Sequence, residues 1–249
     1  MPSVIAAIQD KARTSGVGAI FWPDRGHAPR GYVEGMAVAF GRMLCKLKAQ
    51  DAAALAMAAA AAGPTVDALG HYAAEFAALG MANDTAGPDP LRHLFVLMMG
   101  LGMRESSGQY CEGRDREVPE SEVTADNAEA GLFQASYDLR HVDPLLPKIF
   151  AAYRAAPSGF VDIFKQGVTC SAKMLQNWGT GDGVEFQKLS KASPAFALEF
   201  AAVGLRRQPR HWGPIRTKKA QLKTECDALF KAVQAIVDAT PGACAELTA

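Results

Sequence analysis

Glu105 ends an apolar run. Residues 94–103 are ten apolar or glycine residues without a break, and Arg104 and Glu105 follow directly, ahead of a small, polar, glycine-containing stretch. On a helix, Leu101, Met98 and Leu94 share the face of Glu105, four, seven and eleven residues earlier. A carboxyl group that continues such a stripe loses water. That disfavours its charged form and raises its pKa, which is the condition for a general acid working near neutral pH. The competing reading is a helix end in water, with Arg104 as companion. An acidic residue there meets the negative end of the helix dipole, a small cost.

Other chemistry is weaker. The five cysteines, Cys45, Cys111, Cys170, Cys226 and Cys244, are scattered and form no C-x-x-C pair, and the five histidines show no metal-ligand spacing; no metal site is expected. The odd cysteine count leaves at least one thiol free unless it pairs between chains, and one or two disulfides are open. Cys111 lacks a neighbouring base in the sequence, so it reads as a disulfide or a packed thiol. His93 reads as a hydrogen-bonded structural residue. No Gly-x-Ser-x-Gly elbow occurs, and the "GTGDG" at 179–183 has neither a preceding strand nor a following Lys-Ser, so it is no phosphate loop.

The elements that must position Glu105 are mostly helical. Asp89 is placed to cap a helix, Pro90 suits its first turn, and the pattern runs through Leu91 to about Glu105. It is apolar on every side after His93, which predicts a central buried helix. Helical patterns also cover 32–47, the alanine-rich 52–62, 66–79, 143–156, the stretch after Ser193-Pro194, and 215–237. Strand signals are scarce; any sheet is expected to be small and to lie within 111–125. Residues 106–128 are polar and irregular, a mobile insertion or a functional loop. The chain has 249 residues. It is read as 1–65, an N-terminal helical extension packed on the core, and 66–249, the main domain, or as one domain throughout.

Twenty-six basic and twenty-six acidic residues cancel, so no basic field for nucleic acid is present. The longest apolar run is about half of what a bilayer span needs. The opening segment reaches Asp10, Lys11 and Arg13 before a usable hydrophobic stretch forms and is read as no secretory signal.

Two tetrads sharpen the picture. "ESSG" at 105–108, followed by "GLFQ" at 131–134, resembles the lysozyme-like superfamily, closest to goose-type lysozymes and the soluble lytic transglycosylase domain. In that family a helix ends in Glu-Ser with the glutamate as catalytic acid, and a Gly-Leu-Met-Gln segment about twenty-five residues later walls a sugar cleft. Phe133 replaces the methionine here. The resemblance covers 89–213 and departs at two places. "FAAVG" at 200–204 stands where the family has Ala-Tyr-Asn-Ala-Gly, and Ser136 stands where goose-type lysozymes carry an aspartate.

The resemblance implies a mainly α, lysozyme-like helical domain with at most a small β element. It implies cleavage of β-1,4 bonds in an N-acetylated amino-sugar polymer, peptidoglycan first and chitin as the alternative. No metal or organic cofactor is implied. Glu105 would be the general acid, Ser106 would orient it, and Gln134, Tyr137 and a tryptophan would line the cleft. Tyr110, Phe133, Tyr137, Trp178 and Trp212 are the aromatics available to stack on sugars, and Trp178 sits in a glycine-rich loop. Glycosidases that activate water or form a glycosyl-enzyme need a second carboxylate. The candidates are Glu112, Asp115, Asp126 and Glu129, with Asp126 and Glu129 first because they precede the "GLFQ" wall. A lytic transglycosylase, by resemblance, needs only one carboxyl group. The rival expectations are a non-catalytic glycan- or protein-binding module on the same fold, and an interaction protein built on the alanine-rich N-terminal helices.

Overall fold

The computed structural model describes residues 3–115, 118–157, 159–208, 211 and 213–249. The chain runs α1 (Val4–Arg13), β1 (Phe21–Trp22), β2 (Gly26–His27), α2 (Arg30–Lys48), α3 (Ala52–Met57), α4 (Ala68–His71), α5 (Ala73–Ala78) and α6 (Pro88–Ser106). After a long irregular stretch come α7 (Leu145–Ala155), α8 (Val161–Phe164), α9 (Ala172–Leu175), α10 (Asp182–Ala192), α11 (Pro194–Leu205), α12 (Gly213–Arg216), α13 (Thr224–Ala239) and α14 (Ala243–Leu247). The fold is mainly α. No helix among the described residues is long and apolar enough to cross a membrane.

α6 is the central helix that its sequence predicts. Every residue from Pro90 to Met103 is buried, and only its ends reach water. It starts two residues earlier than the Asp89 cap would have it. Gly87 occupies the N-cap without a side-chain bond, because the Asp89 carboxylate is taken by Arg92 at 2.6 Å. His93 is buried as a structural residue, with Nδ1 2.8 Å from Asn83 Oδ1. At the far end, Ser107 and Gly108 turn left-handed (φ 53° and 72°). Gly108 N–H then donates to the Gly102 carbonyl, a glycine-assisted stop that satisfies the last turn.

α2 and α13 flank α6. The rings of Phe40, Phe95 and Phe230, one from each helix, meet at 5.0–5.6 Å. α2 lies so near α6 that a Cβ at Gly102 would stand 2.2 Å from the Tyr32 hydroxyl. That hydroxyl donates to the Met98 and Met99 carbonyls at 3.0 and 3.1 Å. Gly102→Ala is therefore expected to destabilise by about 1–3 kcal/mol through overpacking. Urea unfolding checks it, and adding Tyr32→Phe should recover part of the loss. A second group of rings, Phe150, Phe186, Phe196 and Phe200 on α7, α10 and α11, belongs to the same continuous core. Residues 1–65 supply α2 to this core, and the Cys45–Cys244 disulfide joins α2 to α14.

Several expected elements differ. The sheet pairs Phe21 with His27 and Trp22 with Gly26 instead of lying within 111–125. Polar groups of that stretch are engaged elsewhere: Gly131 N–H donates to the Glu112 carbonyl at 2.8 Å, and Trp178 Nε1 and Gln187 Nε2 donate to the carbonyls of Val123 and Ala125. The alanine-rich helix ends at Met57 rather than running to 62. The buried Arg206 guanidinium takes the carbonyls of Met57, Ala59 and Ala60, each at 2.9 Å. The pattern over 66–79 breaks into α4 and α5 at Tyr72, whose hydroxyl donates to the Pro214 carbonyl. The last pattern likewise divides into α12 and α13.

Candidate active site

Glu105 is the penultimate residue of α6, at the mouth of the buried helix. It lines a cleft of about 440 Å3 together with Arg25, Arg114, Asp115, Glu129 and Gln134. Burial pushes its pKa up to about 8, and the negative charge of Glu129 adds to the rise, while Arg25 and Arg104 oppose it. Glu129 is pushed up to about 7, first by burial and then by the charge of Asp115. Both half-buried carboxyl groups are thus held toward their neutral forms near neutral pH. One can hold a proton while the other is charged. A neutral carboxyl next to a carboxylate is the arrangement that general acid–base work requires.

The wall facing Glu105 is a tight turn. Gly131 has φ 76°, and a Cβ there would meet the Ser190 carbonyl at 2.9 Å, so a side chain is excluded on both counts. Gln134 also sits left-handed, at φ 45°, which is a strained conformation for a non-glycine residue. Its amide nitrogen donates to the Gly131 carbonyl at 3.0 Å, and this bond closes the turn. Ser106 is buried, and its hydroxyl bridges the Gly102 and Leu132 carbonyls at 2.9 Å each. It clamps the end of α6, which carries Glu105, to the turn at 131–134. The Cys111–Cys170 disulfide anchors the loop that carries Asp115.

Of the expected residues, Ser106, Glu112, Asp115, Glu129 and Gln134 line the cleft with Glu105, and the others do not. Asp126 pairs with Arg140 at 2.8 Å and lines neither this cleft nor the smaller recess beyond Glu129; it is a loop ion pair, not the partner of Glu105. Phe133 is 1% exposed and belongs to the core, where no substrate can reach it. Tyr137 packs against Phe150 and Phe186, with the Arg140 guanidinium 4.0 Å above its ring. Trp178 sits one layer back. Its Nε1 donates to Val123, and its ring carries Arg114 at 4.7 Å, so it supports a cleft residue without lining the cleft. Trp212 lies outside the described residues. Phe200, Ala201, Ala202, Val203 and Gly204 are all buried in α11. Ser136 lines the recess of about 210 Å3 that continues the cleft past Glu129 and Gln134.

Arg25 and Gly213 were not singled out from the sequence. Arg25 arrives from the β1–β2 turn, eighty positions before Glu105, and the only local hint was "WPDRG", a turn set between aromatic residues. Gly213 comes so near that a Cβ on it would stand 3.2 Å from a Glu105 oxygen.

No family model matches the chain, no curated protein matches it, and no solved structure matches it.

Replacing Glu129 by glutamine removes a negative neighbour from Glu105. The Glu105 pKa is expected to fall from about 8 by roughly one pH unit while staying above the ordinary carboxylate range, because burial is the larger cause. A 13C NMR titration of the Glu105 side-chain carboxyl checks this without reference to any activity.

Proposed function

We propose that the chain is a glycosidase-type enzyme of lysozyme-like character. It cleaves β-1,4 bonds in an N-acetylated amino-sugar polymer, peptidoglycan before chitin, as a lytic transglycosylase or a muramidase. The observation that carries this reading is the Glu105 carboxyl, held protonated near neutral pH in an open cleft, opposite Glu129 and the turn at 131–134.

In the reaction, Glu105 gives its proton to the glycosidic oxygen as the bond to the anomeric carbon breaks, and positive charge develops on the sugar ring. Two completions conserve atoms and charge. In hydrolysis, Glu129 takes a proton from a water whose oxygen bonds to the anomeric carbon. In the transglycosylase course, a hydroxyl of the sugar itself closes onto that carbon and its proton returns to Glu105. Glu129, which lines the cleft as Asp126 does not, is the second carboxylate in this reading. Its raised pKa suits a base that is ionised above about 7. The two disulfides fit an oxidising compartment such as a periplasm or cell exterior.

Digestion of purified peptidoglycan and of chitin oligomers, with products read by mass, tests the proposal. Products from the wild type and none from Glu105→Gln support a Glu105-dependent glycosidase. Products lighter by one water at the new end assign the transglycosylase course. No product on either polymer would overturn it in favour of a non-catalytic binding module.

A further inference from the structure

The Glu105 cleft shares Arg25 with a second recess of about 400 Å3. Its walls come from the β1–β2 turn (Trp22, Arg25), from Arg104 on α6, and from Lys218, Lys219 and Gln221 ahead of α13. The balance of charge reverses between the two: the cleft holds Glu105, Glu112, Asp115 and Glu129 against Arg25 and Arg114, whereas the recess is lined by four cationic side chains against Asp24. Asp24 lies 3.5 Å from Arg104, and Lys218 is paired with Glu75 at 2.8 Å. Arg25 and Lys219 form no ion pair among the described residues.

A second observation points to the same place. Trp22 Nε1, Arg25 Nε and Gln221 Oε1 are buried polar atoms without a hydrogen-bond partner among the described residues, and Trp22 is only 2% exposed. Orphaned donors are uncommon in native interiors. Two orphaned N–H donors, one of them on a guanidinium, and one orphaned amide oxygen thus belong to residues that line this one basic recess. An incoming group with two acceptor oxygens and a negative charge matches both the donors and the field, and it accepts charge-assisted bonds.

We infer that this recess is a carboxylate subsite, which holds an acidic substituent of the polymer while the neighbouring glycosidic bond lies at Glu105. The inference rests on the glycosidase reading and deepens it. The preferred substrate carries carboxylates on its sugars or on attached peptides, and neutral chitin fills the central cleft alone.

The test is calorimetric titration with a disaccharide–peptide fragment of peptidoglycan, with the same fragment after its carboxylates are converted to amides, and with a chitin oligomer. Wild type and Lys219→Glu are compared; Lys219 is exposed, so the substitution does not disturb the core. The free acid should bind at least tenfold more tightly than the amide, and Lys219→Glu should erase that difference while leaving amide binding unchanged. The Trp22 indole N–H resonance, assigned with Trp22→Phe, should shift with the free acid only. Equal binding of acid and amide, or a preference that Lys219→Glu and the Trp22 resonance both ignore, would overturn the subsite and leave the glycosidase reading intact. Binding of none of the fragments also overturns it. If Glu105-dependent products still form from peptidoglycan, the glycosidase reading survives; if they do not, both fall.

Discussion

Glu105→Gln should abolish turnover and, at pH 8.5, raise the melting temperature above that of the wild type. Loss of a general acid typically costs about 10²- to 10⁴-fold in rate. The stability effect follows from linkage. The folded protein holds the Glu105 proton up to about pH 8, whereas the unfolded chain releases it near the ordinary glutamate value of about 4.3. Between those two values the folded state binds more protons than the unfolded one, so stability falls as pH rises. The contribution is fully present below the unfolded pKa and is lost by the time pH passes through about 8. Glutamine carries no such titration. After allowance for coupling to Glu129 and for residual solvent, the variant should gain on the order of 2 kcal/mol at pH 8.5. For a chain of this size that is roughly 4–8 °C. At pH 4 the two proteins should melt together. Thermal melts at both pH values, run beside the digestion assay, separate a catalytic acid from a structural one. A variant that is inactive and less stable at pH 8.5 would make Glu105 a structural residue.

Arg206→Met is expected to cost about 3–5 kcal/mol, the range for breaking a buried ion pair by removing one partner. Arg206 and Asp67 are 3% and 0% exposed and meet at 2.9 Å. Asp67 also accepts the Ala62 and Leu69 N–H groups at 2.7 and 2.9 Å, so it starts α4 and holds the segment after α3. Without Arg206, that carboxylate stays buried beside three carbonyls that lose their donor. Asp67→Ala should be comparably damaging, because it strands the guanidinium. Urea denaturation of both single variants and the double measures the pair. A single-variant loss below about 1 kcal/mol would place the pair in the class of weak surface bridges.

The helical class and the burial of α6 were legible because they follow from local pattern: a continuous apolar run, a proline in the first turn and glycines at the stop. Glu105 inherits its position from that pattern. What sequence spacing does not carry is the direction in which a side chain leaves an irregular backbone. Asp126 and Glu129 lie three residues apart in one loop. One turns to Arg140 and the other to Glu105, and only the packing of α10 and of the turn at 131–134 separates them. Phe133 fails as a sugar platform for a similar reason: its place in the tetrad fixes its neighbours in sequence, not the face it presents. Ser106 was expected to orient Glu105, and its hydroxyl bonds to two backbone carbonyls rather than to the carboxyl group. The two-residue strands fell outside any periodicity, since two residues have none. Arg25 came from a long-range closure: "WPDRG" marks a turn but not the cleft, eighty positions on, that the turn reaches.

The joining of α2 to α13 and α14 has a consequence for how the molecule is made. Phe230 completes the ring cluster begun by Phe40, Cys244 bonds to Cys45, and Glu246 accepts the Val4 and Ile5 N–H groups at the start of α1. A chain emerging from the ribosome therefore presents the apolar faces of α2 and α6 long before their covers are synthesised. Its core closes only once α13 and α14 have been made, and until then those apolar faces are open to aggregation.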